Sequence, residues 1–163
     1  MKEILQQYAA YNCWANQRIF DCIKALPDDR LDQEIISSFP SIRKTLLHIW
    51  DAESIWWQRL KLSERITAPG AGFEGGQEEL IKKIQRQSAE WKEWIDNSSA
   101  AQLNHVFAYQ NTKREQFKQP VYEMLMHLFN HGTYHRGQLV TMLRQTGVDK
   151  IPATDMIVFY RKK

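Results

Sequence analysis

Apolar residues recur every three or four positions through four long stretches of the chain, with polar residues between them. From Lys2 to Leu26 the spaced residues are Ile4, Tyr8, Tyr11, Ala15, Ile19, Cys22 and Leu26. That is the stripe of an amphipathic helix, and Pro27 with Asp28 and Asp29 ends it. An irregular connection runs to Pro40. Ser41 is then suited to cap a second helix over Ile42 to Lys61, with Ile42, Leu46, Ile49, Trp56 and Leu60 on its buried side. Ser63 to Gly76, rich in glycine and holding Pro69, reads as a loop. A third helix follows over Glu78 to Asn97, with Ile84, Ser88, Trp91 and Ile95 at helical spacing. Between Leu103 and Gln119 the period shortens to two around a turn at Asn111 to Arg114, which predicts a small β-hairpin. Pro120 suits the first turn of a fourth helix running to Gln145 and stopping at Gly147. The tail carries Thr154 or Asp155 as a cap for a short fifth helix. All 5 prolines fall at predicted boundaries. Four long helices in a chain of this size predict an all-α four-helix bundle.

Composition narrows the class. A length of 163 residues suggests one domain spanning 1–163, and 43% apolar with 25% charged residues is ordinary for a globular protein. The net charge of +3 is dispersed, and KKIQR and the closing RKK read as solvated surface, so no nucleic-acid partner is expected. No apolar run approaches the roughly 20 residues of a membrane span. The first residues lack the apolar core of a signal peptide. Cys13 and Cys22 fall on one predicted helix, too far apart to bridge. These features predict a cytoplasmic protein.

The candidate chemistry lies in the fourth helix. Three of the 5 histidines, His127, His131 and His135, stand four residues apart on one face. Imidazoles one turn apart can converge on one metal ion. His127 and His135 are about 12 Å apart along the axis and cannot share it. The pair is therefore His127/His131 or His131/His135, and a further ligand must come from another helix. His105 lies in the polar hairpin region and is expected to be solvated. His48, mid-helix among core residues, is the remaining candidate. Two histidines from one helix and His48 from another would leave a tetrahedral ion with an open position, as catalytic sites require.

Four segments resemble the DinB-like, or damage-inducible, family of the DinB/S-transferase-like superfamily. They are YNCWANQRI, SIRKTLLHIWDAE, HLFNHGTYHRGQL and IPATDMIVFY. The resemblance implies an up-down-up-down four-helix bundle, dimerisation, and a metal held by His48, His131 and His135, leaving His127 out. It also implies one of two activities on a small-molecule substrate. One is transfer by a low-molecular-weight thiol such as bacillithiol or mycothiol; the other is metal-dependent hydrolysis. Zinc or nickel is the expected divalent ion. A non-enzymatic, metal-binding stress-response role is the third reading.

Asp51, Glu53, Asn130 and Tyr134 are candidates to orient the ligands through their free ring nitrogens. Arg136 is expected to be a salt-bridge partner, and Gln138 to bond a neighbouring backbone. Gly132 and Gly137, each costing about 1 kcal/mol against alanine in a helix, are read as packing contacts. One of the adjacent Trp56 and Trp57 is expected to face outward or line a dimer surface. The chain has no H-E-x-x-H, no Glu-x-x-His and no G-x-S-x-G, which argues against zincin, di-iron carboxylate and nucleophile-elbow chemistry.

Overall fold

The computed structural model describes residues 1–161, so the last two lysines lie outside the described residues. The helices are α1 (Lys2–Lys24), α2 (Asp28–Leu31), α3 (Ile42–Leu60), α4 (Gln77–Asn97), α5 (Ala100–Asn104), α6 (Val121–Gln145) and α7 (Met156–Tyr160). Strands β1 (Val106–Gln110) and β2 (Gln116–Pro120) form an antiparallel hairpin with Val106 opposite Pro120. The bundle, the hairpin and the short last helix agree with the sequence pattern. Ser41 caps α3 by accepting from the Lys44 amide, and Gly147 closes α6 at φ +89°. At the hairpin turn the Asn111 side chain accepts from the Lys113 and Glu115 amides.

Some elements depart from expectation. The connection before Pro40 holds a single helical turn, α2, whose Leu31 is fully buried. Ser99 and Gln102 form a capping box that starts α5, which the hairpin reading overlooked. Pro120 ends β2 and precedes α6 rather than lying in its first turn. Ile4 is 63% exposed while its neighbour Leu5 is fully buried. Tyr11, Ala15 and Ile19 are buried as expected, and Leu5, Ala9, Asn12, Asn16, Phe20 and Ile23 are buried with them, because α1 packs against both α4 and α6.

Side-chain pairs set the direction of each long helix. Gln6 meets Asp96 and Gln17 meets Gln85, so α1 and α4 are antiparallel. Tyr8 packs on Phe129, and Asn12 and Asn16 accept from Arg136, so α1 and α6 are parallel. Thr45 meets Met142 and Trp56 meets His127, so α3 opposes α6. Glu53 meets Ser88 and Trp57 packs on Trp91, so α3 and α4 are parallel. The four-helix bundle expectation therefore stands, but the winding is up, down, down, up rather than strictly alternating.

The cause is a strap, residues 61–76, that returns along α3 before α4 begins. Gln58 holds Thr67, Asp51 accepts from the Gly70 amide at 2.6 Å, and Trp50 packs on Phe73. Near the top, the Arg43 guanidinium donates to the Gly75 carbonyl. A Cβ at residue 70 would lie 2.9 Å from both Asp51 carboxylate oxygens, so glycine is what lets the strap dock.

The apolar core has two halves. One gathers Ile19, Phe20, Ile23, Ile42, Leu46, Leu80, Ile84 and Leu139. The other gathers Leu5, Ala9, Trp91, Ile95, Leu125, Leu128 and Phe129. Each fully buried large side chain contributes roughly 1.5–3 kcal/mol. Between the halves every long helix places a polar residue inward: Asn12 and Asn16 on α1, Glu53 on α3, Ser88 on α4 and Arg136 on α6, all buried. At this level the groove between α3 and α6 carries the histidines.

Candidate metal centre

His48 projects from α3, and His131 and His135 from successive turns of α6. The antiparallel contact of those helices brings the rings together. The His131 Nε2 lies 3.1 Å from the His48 Nε2 and 3.0 Å from the His135 Nε2. One ligand nitrogen from each of the three lies within 4.8 Å of the others. A tetrahedral ion with bonds near 2.1 Å needs nitrogens about 3.4 Å apart, so small outward shifts would seat it.

The surrounding bonds set the proton positions. The His135 Nδ1 lies 2.7 Å from the Gln138 Oε1, an acceptor, so the ring donates there. A neutral imidazole has one N–H, so the His135 Nε2 presents a lone pair to His131. His131 has at most one proton at its Nε2 for two neighbouring nitrogens. Hydrogen bonds alone therefore cannot satisfy the cluster, whereas one cation accepting three lone pairs can. Gln138 is itself held, its Nε2 donating to the Ser38 Oγ at 2.8 Å.

Burial keeps the rings neutral. It pushes His48 and His131 down to about 4, with a smaller contribution from His135, and it lowers His135 as well. The Phe39 ring stacks on His48 at 4.3 Å and stands 5.8 Å from His135. The segment before α3 thus covers part of the groove with an apolar ring.

The other sequence candidates fall elsewhere. His127 is exposed, its ring 6.0 Å from His131 and 5.7 Å from Trp56, and it is not one of the three grouped histidines. His105 is exposed, as expected. None of the four proposed orienting residues bonds a clustered histidine. Asp51 holds the strap, Glu53 joins the buried polar layer, and Asn130 is exposed. Tyr134 is 61% exposed and meets His135 only edge-on, at 5.0 Å. The orienting residue is Gln138, which bonds a side chain rather than backbone.

Arg136 makes no direct salt bridge among the described residues. It donates to the Asn12 and Asn16 carbonyl oxygens and to the Thr133 hydroxyl. Gly132 is a true packing contact, since a Cβ would lie 3.0 Å from the Asn12 Oδ1 and 3.1 Å from an Arg136 nitrogen. Gly137 meets nothing, so packing does not explain it. Trp56 and Trp57 are both half-buried, Trp56 against Tyr109 and Trp57 against Trp91. Sequence reasoning missed Ser38 and Phe39, which lie in an aperiodic segment with no motif to mark them.

Fold and site together define a helical bundle whose histidine-lined groove could hold a metal ion. The chain belongs to the DinB family, whose family model matches residues 1–161. It is 36% identical over 151 residues to Protein DinB of Bacillus subtilis (strain 168), covering 87% of this chain and 86% of that protein. Its fold is shared with a DinB-like protein from Bacillus cereus ATCC 10987 (TM-score 0.73, 20% identity, 93% of this chain and 95% of the other). It is also shared with YfiT from Bacillus subtilis (TM-score 0.72, 14% identity, 90% of each chain). YfiT is described as "a probable metal-dependent hydrolase with an unusual four-helix bundle topology".

Proposed function

We propose that His48, His131 and His135 bind a divalent cation, zinc or nickel, and that the chain is a metal-dependent enzyme acting on a small molecule. The observation that carries this reading is the convergence of three Nε2 atoms that their own protons cannot satisfy. Three neutral nitrogens leave at least one position for an incoming atom. Bound there, the ion would lower the pKa of a thiol or a water and polarise an electrophile.

The chain's own groups supply the rest. Gln138, steadied by Ser38, fixes the tautomer and tilt of His135. Phe39 shields the His48 ring from water. The specific activity proposed is S-transfer. The sulfur of a low-molecular-weight thiol attacks an electrophilic carbon, the thiol proton is lost to solvent, and the leaving group departs with the electrons of the broken bond. The family resemblance supports that choice. A second reading, hydrolysis of the electrophile by water, is favoured by the description of YfiT. A homodimer, by resemblance, and a cytoplasmic location, by the cysteine pattern and the lack of a signal-peptide core in the first residues, complete the proposal.

The test pairs metal content with turnover. In His48→Ala and His135→Ala, bound metal measured by plasma mass spectrometry should fall from about one ion per chain to near none, with helical circular dichroism retained. Metal retained in both variants would refute the assignment. Consumption of monobromobimane that needs both thiol and metal marks the transferase; turnover of an ester or amide without thiol marks the hydrolase.

A further inference from the structure

A second place in the fold carries chemistry that the histidines do not explain. It is a cavity of about 420 Å³ between the C-terminal end of α3, the start of the strap and the hairpin. Its lining includes Arg59, Leu62, Ser63, Ile66 and Tyr109. Arg59 follows His48 by eleven residues on the same helix, about 16 Å along the axis, so this is a separate site.

Arg59 is held but not paired. Its guanidinium carbon lies 4.6 Å from the centre of the Trp56 ring and 5.5 Å from that of Tyr109. Two aromatic faces therefore fix the plane of the group. The Nε is buried with no hydrogen-bond partner. Among the described residues the guanidinium has no ion-pair partner and donates to no acceptor. Burial weakens its hold on the proton, opposed only by the Tyr109 phenol. A half-buried, oriented cation without an acceptor is costly unless an anion completes it.

The walls select among anions. The planar fork of arginine matches a carboxylate in bidentate fashion. Glu64 also lines the cavity, and its charge repels a doubly charged phosphate more than a singly charged carboxylate. Leu62 and Ile66, 75% and 40% exposed, offer an apolar wall. From these features we infer that the cavity binds a small monocarboxylate with an apolar body, its carboxylate clamped by Arg59 and its body lying along Leu62, Ile66 and Tyr109. The inference is independent of the reading of the histidine cluster.

Phenylacetate is the probe, titrated into the whole chain and followed by the assigned indole N–H resonance of Trp56. Saturable shifts are expected in the wild type, at least tenfold weaker for neutral phenylacetamide and for inorganic phosphate. Arg59→Gln should weaken phenylacetate binding at least tenfold, and Arg59→Lys, which keeps charge but not the fork, should fall between. His48→Ala should leave binding unchanged. Equal binding of phenylacetamide to the wild type would show an apolar cavity alone and overturn the proposal. So would undiminished binding to a folded Arg59→Gln, tighter binding of phosphate, or loss of binding in His48→Ala, which would place the carboxylate at the histidines.

Discussion

His135 and Arg136 are neighbours on α6, yet they end in two different kinds of polar cluster. Arg136 turns toward α1, where donors meet acceptors: its two terminal nitrogens reach Asn12, Asn16 and Thr133. Asn12 in turn donates to Glu53, which also accepts from Ser88. His135 turns toward α3, where lone-pair-bearing nitrogens face one another at 3.0–3.1 Å. In the first cluster only the Arg136 Nε is left without a partner among the described residues; in the second, the hydrogen bonds available to the three rings cannot satisfy the nitrogens that face one another. Burial is nearly the same for the two residues, so exposure does not separate structural from chemical roles here. The balance of donors and acceptors does.

The largest expected effect comes from breaking the complete cluster. Arg136→Met removes the cation that balances Glu53 and strands the buried Asn12 and Asn16 carbonyl oxygens in the core. Loss of one partner of a buried charged network costs about 3–5 kcal/mol. Urea denaturation should show that loss, while the fraction that remains folded should take up added zinc as the wild type does. Unchanged stability would mean that the layer contributes nothing to the fold.

The pH response comes next, and the clusters have opposite signs. His48 and His131 fall to about 4 in the folded chain because burial disfavours their charged forms. The unfolded chain takes up those protons near the ordinary value of 6.5, so folded stability from this cluster is lost as pH falls from 6.5 toward 4. Burial raises Glu53 to about 7, against the pull of Ser88, Asn12 and Arg136. Its contribution is full below the ordinary 4.5 and is lost as pH rises through 7. In chelator-treated protein, urea midpoints between pH 4.5 and 6.5 should therefore drop more steeply toward acid in Glu53→Gln than in wild type. They should drop less steeply in His48→Ala. The reverse order would contradict the assignment of the two clusters.

Two glycines of α6 sharpen the contrast at the smallest scale. Gly132→Ala forces a Cβ against Asn12 and Arg136 and should destabilise by about 1 kcal/mol or more. Gly137→Ala enters open space and should stabilise by up to about 1 kcal/mol. Thermal melts of the two variants should move in opposite directions.

Much of this was legible beforehand, for local reasons. A period of 3.6 is a property of neighbouring residues, so the four long helices, their prolines and the Ser41 cap could be read directly. The four-residue spacing of His131 and His135 is equally local. What spacing left open was which neighbour His131 would use; His127 and His135 are equivalent on that count. The winding was not legible, because helix direction depends on whether residues 61–76 turn at the bottom or climb back along α3. Contacts such as that of Asp51 with Gly70, between residues nineteen apart, hold the strap along α3 and decide it. The role of Gln138 is not legible in the sequence, since its partners His135 and Ser38 come together only when the segment before α3 folds over the groove.

Elements and their apolar faces came from short-range periodicity, which needs no knowledge of neighbours in space. The histidine cluster, the polar layer and the unpaired Arg59 came from packing. Each depends on side chains of different helices arriving at one point, and a linear order of residues holds no such distances.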